Sequence, residues 1–145
     1  MSNSTPEGIR RFNYLLGELD ATYHDIALKF ALSDSAMHIL YTLCDEGTDC
    51  PLSEICRRCG LSKQTVNSAI RKLEAEGILY LQKTGSKGKI VCMTEVGKDL
   101  ASRTVMRLLD AENAVLASWS SQDVKKYMEL TERFLNDIRE RTSDL

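Results

Sequence analysis

Six polar side chains fall between positions 63 and 71: Lys63, Gln64, Thr65, Asn67, Ser68 and Arg71. If that stretch is helical, they share one outward arc, opposite Val66, Ile70 and Leu73. They are amides, hydroxyls and cations, the groups that meet base edges and phosphates in a DNA major groove. Ser62 and Lys72 extend the set at either end. A second basic group follows at Lys83, Lys87 and Lys89, around the turn Gly85-Ser86-Lys87-Gly88. The chemistry these types and spacings offer is recognition of a polyanion, not the making or breaking of bonds.

The distribution of charge agrees. Over the whole chain the net charge is −2. Residues 54–98 hold nine basic and four acidic side chains, a net of +5, which leaves −7 for the flanks. A basic centre between acidic ends points to one polyanion-facing surface on an otherwise acidic body.

Other constellations offer less. Cys56-Arg-Arg-Cys59 has C-x-x-C spacing, but no second ligand pair accompanies it. In a helix–turn–helix register both thiols face the packed side, as small apolar residues. Five cysteines are an odd count and form no disulfide framework. Cys50, in a turn beside Pro51, is the thiol expected to be most exposed, and a cysteine-based redox sensor stays open as an alternative. His24 and His38 lie 14 positions apart with no carboxylate cluster, so no metal site is expected. There is no nucleophile–base–acid set and no phosphate-binding glycine loop, so neither an enzyme nor a cofactor is expected. Tyr14 and Tyr41 are candidates to line a cleft for a small ligand. Tyr23 and Tyr127 read as seam aromatics.

The elements that must position these groups can be read from periodicity. Residues 7–31 form one long helix whose Ile9, Phe12, Leu16, Leu19, Tyr23, Ile26 and Phe30 step by three and four. Thr5 is its expected cap, with Pro6 at the first helical position. Ser33 caps a second helix, with Met37, Leu40, Tyr41 and Cys44 inward, and Gly47 stops it. Residues 47–51 read as a turn. Two short helices follow around Gly60, which must tolerate positive φ; Ser62 caps the second and Gly77 ends it. Residues 78–83 and 89–93 are strands of a hairpin. Thr94 starts a long helix to about Ser118, with Val96, Leu100, Leu108, Leu109, Val115 and Leu116 apolar. Ser120 starts the last, with Asp123 as capping-box partner and Trp119 and Val124 as a staple. Val124, Tyr127, Thr131, Phe134 and Ile138 continue along one face of it.

The composition, 43% hydrophobic and 28% charged over 145 residues with two prolines, is that of a helix-rich globular chain. No apolar run reaches membrane-spanning length, and the segment MSNSTPEGIRRF has no apolar core. The expectation is a cytoplasmic protein with no membrane partner. The stripes on the first and last helices are too long for so short a chain to cover, which predicts a homodimer.

The stretch from Leu52 to Leu100 resembles the winged helix–turn–helix core of the MarR (multiple antibiotic resistance regulator) family. Leu73-Glu74-x-x-Gly77-Ile78-Leu79, the basic turn, and Met93-Thr94-x-x-Gly97 carry the resemblance. It implies a mainly α fold with a small β-hairpin wing: one domain over 1–145, a DNA-binding part over 33–98, and dimerisation helices at 7–31 and 99–142. It further implies a homodimeric regulator on a pseudo-palindromic operator in double-stranded DNA, typically a repressor released by a small-molecule effector or a stress signal. The wing departs from the pattern. Where relatives often carry an Asp two residues before an Arg, this chain has Gly85 and Lys87, and a Lys lacks the Arg fork. Relatives that sense peroxide typically carry their cysteine in the first helix, where this chain has none. A winged helix that binds only protein is the alternative, and the +5 centre argues against it.

Overall fold

The computed structural model describes residues 6–47, 49–85 and 88–145. Among these residues, seven helices and three strands follow in the order α1 (Pro6–Lys29), α2 (Asp34–Glu46), β1 (Asp49–Pro51), α3 (Leu52–Cys59), α4 (Lys63–Ala75), β2 (Leu79–Thr84), β3 (Gly88–Met93), α5 (Glu95–Arg103), α6 (Val105–Ala117) and α7 (Ser121–Thr142). The chain divides into two compact units, Met1–Met106 and Arg107–Leu145. Among the described residues no helix is long and apolar enough to cross a membrane.

Local chemistry sets most of the boundaries. The hydroxyls of Ser33, Ser62, Thr94 and Ser120 accept from backbone N–H groups of the first turns of α2, α4, α5 and α7. Pro6 is the first residue of α1, as expected; Thr5 lies outside the described residues. At the end of α4 the Gly77 N–H donates to Glu74 O and the Ile78 N–H to Leu73 O. This is a Schellman closure, with Gly77 at φ 76°. α1 closes in the same way, Ala31 N–H to Leu28 O and Leu32 N–H to Ala27 O. There the left-handed position is held by Ala31, at φ 57°.

In the first unit, α2 is the central element. Its Ile39, Leu40 and Leu43 are fully buried, together with Ile55 of α3, Val66 of α4, Leu79 of β2 and Val91 of β3. The inward face of α2 is wider than its pattern suggested: Ile39, Thr42 and Leu43 are buried with Met37 and Leu40, while Tyr41 and Cys44, expected inward, are only half-buried. The reason is that α2 meets α3, α4, β1 and α5 at once.

Two expectations are corrected. Residues 47–51 are not only a turn, because Asp49–Pro51 is strand β1, antiparallel to β3 with Cys50 opposite Val91. The sheet is thus three-stranded, in the order β1-β3-β2. Nor is the helix after Thr94 continuous. It breaks at Thr104, which is buried; its hydroxyl donates to Leu100 O and its N–H to Ala101 O. Thr104 itself takes φ −128° and ψ −92°, outside the helical region. Val96 and Val115 are exposed, while Leu108 is buried.

In the second unit, no residue of α7 is buried. Trp119 sets its ring edge-on against Tyr127, centroids 5.4 Å apart.

Candidate nucleic-acid interface

The turn into α4 is built for one path. Gly60 takes φ 66°, and the Ser62 hydroxyl accepts from the Thr65 N–H at 3.1 Å while donating to the Thr65 hydroxyl at 2.8 Å. Val66, Ile70 and Leu73 then anchor α4 in the core. The opposite side presents Lys63, Gln64, Thr65, Ser68, Arg71 and Lys72, all exposed, and Asn67, half-buried.

Two grooves flank this helix. The wing-side groove, about 790 Å³, is lined by Lys63, Asn67 and Arg71 of α4, by Ser53 and Cys56 of α3, and by Thr84 and Lys89 of the hairpin, over a floor that includes Ile70, Leu81 and Ile90. Among the described residues no carboxylate lines it. The groove on the other flank, about 920 Å³, is lined by Gln64, Thr65, Ser68 and Lys72, by the α1–α2 turn from Phe30 to Ser33, and by Leu100 and Arg103 of α5. The polar arc read from the sequence is therefore a ridge with two walls. Ser53 and Thr84 were passed over in the sequence; what marks them is position, at the start of α3 and the end of β2.

The described cations of the central segment do two jobs. Arg58 binds Asp45 at 2.6 Å and Glu46 at 2.8 Å, fastening α3 to the end of α2. The bond to Asp45 raises its pKa further. Arg57 pairs with Glu54, and Lys98 with Glu95 at 3.2 Å. Lys63, Arg71, Lys72, Lys83 and Lys89 have no ion pair among the described residues. The free cations are thus those on α4 and the hairpin. Lys87, the expected wing-tip contact, lies outside the described residues; Gly85 beside it takes φ 61°.

Thr94 and Gly97, part of the motif after the hairpin, have a structural task. The Thr94 hydroxyl donates to Gly77 O at 2.6 Å and accepts from the Gly97 N–H. A Cβ on Gly97 would stand 2.2 Å from Ile78 O. Only glycine lets α5 approach the end of α4 so closely, which fixes the base of the hairpin against the helix.

The thiols are mostly withdrawn. Cys50, expected to be the most exposed, is buried on β1 because pairing with β3 turns its side chain inward. Burial, with Glu46 and Glu54 nearby, pushes its pKa up to about 11. Burial also raises Cys44 and Cys59. Little thiolate forms at neutral pH on these three. Cys59 is packed as expected, but Cys56 is half-buried on the wing-side groove. Among the described residues no group of three metal-ligating side chains occurs. Tyr14 is exposed on α1 beneath the Arg11 guanidinium, 5.7 Å from the ring centre, and Tyr41 is half-buried on α2. Neither lines a groove beside α4.

A helix–turn–helix whose second helix is flanked by a β-hairpin defines a winged helix–turn–helix protein. Residues 32–90 match the family model described as MarR family. The whole chain has the fold of MarR family transcriptional regulators. A MarR family regulator from Neisseria meningitidis superposes with a TM-score of 0.83 at 17% identity, covering 94% of this chain and 97% of that one. A MarR family transcriptional regulator from Streptomyces coelicolor, solved in complex with DNA, gives a TM-score of 0.75 at 15% identity, over 94% and 89%. BpsR of Bordetella bronchiseptica, whose DNA binding is regulated by 6-hydroxynicotinic acid, gives 0.63 at 17%, over 86% and 98%. No curated protein sequence matches the chain.

Proposed function

We propose that this chain is a cytoplasmic, homodimeric transcriptional regulator that binds a pseudo-palindromic operator through α4 and the hairpin, acting as a repressor that a small effector releases. The observation that carries the DNA reading is the sorting of cations. Those away from the α4 ridge are spent on Asp45, Glu46, Glu54 and Glu95, and those on α4, β2 and β3 are left free beside amides and hydroxyls. Free lysines and arginines next to hydrogen-bonding side chains suit phosphate and base contacts together. The dimer is supported by the apolar stripes on α1 and α7, which stay exposed in the single chain: Ile9, Phe12, Leu16 and Leu19 on one, Tyr127, Phe134 and Ile138 on the other. A second copy of the chain covers such stripes at the least cost, since a two-fold axis lets one patch serve both partners. Release by an effector is supported by the likeness to BpsR and by the groove on the α1–α2 side of α4, where a ligand would touch Gln64, Ser68 and Lys72.

The test is fluorescence anisotropy of the full chain on duplexes from its own upstream region and on a scrambled duplex, across a salt series. Preferential, salt-sensitive binding is expected, and Lys89→Ala should weaken both duplexes alike, lowering the salt slope by about one per protomer. Equal and salt-independent affinities would refute the reading.

A further inference from the structure

Resting on the reading that α4 enters a DNA major groove, we propose that each operator half-site carries an A·T pair read by Gln64 and a G·C pair read by Arg71, about three base pairs apart. The inward direction of α4 is set by Val66, Ile70 and Leu73. With about 100° per residue, Gln64 and Ser68 point most directly away from it, with Arg71 on one side of them and Lys72 on the other. Arg71 borders the wing-side groove with Lys63 and Asn67, and Gln64 and Ser68 border the other with Thr65 and Lys72. Lys63, Asn67 and Thr65 lie farthest round toward the walls, where the phosphates of a seated duplex run, and Lys72, a point charge without a fork, suits a phosphate. The Thr65 hydroxyl is already engaged by Ser62. Glu74 and Glu76, at the far end of the helix, repel phosphate and keep the last turn, beyond Arg71, out of the groove.

The ridge therefore holds one amide, one hydroxyl and one guanidinium. A glutamine amide matches adenine N6 and N7, and a guanidinium fork matches guanine O6 and N7. Serine, between them, accepts either donor or acceptor and leaves its pair degenerate. Arg71 is free to fork, having no ion pair among the described residues. Seven residues of helix separate Gln64 from Arg71, about 10.5 Å of rise. With α4 laid along the duplex, at about 3.4 Å per base pair, this is about three steps.

The experiment is selection of random duplexes by the full chain, by Gln64→Glu, by Arg71→Ala and by Lys89→Ala. The wild type should enrich half-sites with an A·T and a G·C pair three apart. Gln64→Glu should switch the first column from A to C, since a carboxylate accepts from cytosine N4, and leave the second unchanged. Arg71→Ala should flatten only the second, by about tenfold in preference. Lys89→Ala should lower yield and move neither column. A first column unmoved by Gln64→Glu, or columns at another spacing, would overturn the assignment. Retention of DNA without any sequence enrichment would overturn it while leaving the DNA-binding reading intact. Failure to retain any duplex would overturn both.

Discussion

The segment from α2 to β3 and the two terminal helices treat their apolar residues in opposite ways. From α2 to β3 the large side chains close on one another, and Ile39, Leu40, Ile55, Val66 and Val91 are fully enclosed. On α1 and α7, residues of the same type at helical spacing stay in solvent: Leu19 is 50% exposed and Phe134 43%. The first region encloses its own core; the second, in the proposed dimer, is half of an interface. Burial supplies about 25 cal/mol per Å² of apolar area, so stripes this long reward association with another chain. Polar residues divide along the same line: in the reading region they hold a geometry or face outward free, as Arg58 and Arg71 do.

Substitutions on the two sides should differ in kind. The largest effect is expected for Phe134→Glu, which places a charge in the stripe of α7. Counted over both copies it should weaken the dimer by about 4 kcal/mol or more, seen as a monomer in sedimentation at micromolar concentration. The unfolding of the α2–β3 region should persist. Ile39→Ala should do the reverse, costing about 3 kcal/mol of stability through a cavity, with little dependence on protein concentration once the chain is monomeric. Chemical denaturation at several concentrations separates the two. If Phe134→Glu leaves the mass unchanged, the stripes are not an interface between copies.

Smaller changes sharpen the comparison within the reading region. Gly97→Ala must push α5 away from Ile78 O, at a cost of about 2 kcal/mol, and should loosen DNA binding as the hairpin shifts. Arg58→Ala removes a partly exposed fork and should cost about 1 kcal/mol or less, with Arg58→Lys recovering only part of it. Ala31→Gly relieves a left-handed alanine and should stabilise the chain by about 0.5 kcal/mol, the smallest effect of the set. Thermal unfolding measured in parallel ranks all three.

What could be read in the sequence was what is decided within one turn of chain. The caps at Ser33, Ser62, Thr94 and Ser120, the positive φ at Gly60 and Gly77, and the hairpin all rest on neighbours close in sequence. So does the polar arc of α4. Features that depend on distant partners were not legible. β1 is three residues long, ends in proline, and exists because β3 arrives some forty positions later; Cys50 was misjudged with it. The break at Thr104 has no glycine or proline to announce it. For the site, the identity of the outward residues was local, but their division between two grooves depends on where the hairpin, the α1–α2 turn and α5 come to rest. The pairing that withdraws Arg58 from the basic surface depends on α2.

The most direct test joins both regions in one number: the mass of the protein–DNA complex, by light scattering after gel filtration, on a duplex from the chain's own upstream region. Two chains per duplex are expected, with no one-chain complex accumulating during titration, because the stripes on α1 and α7 hold two copies together before either meets DNA. One chain per duplex at saturation, or no complex at all, would contradict a homodimer that reads DNA with α4.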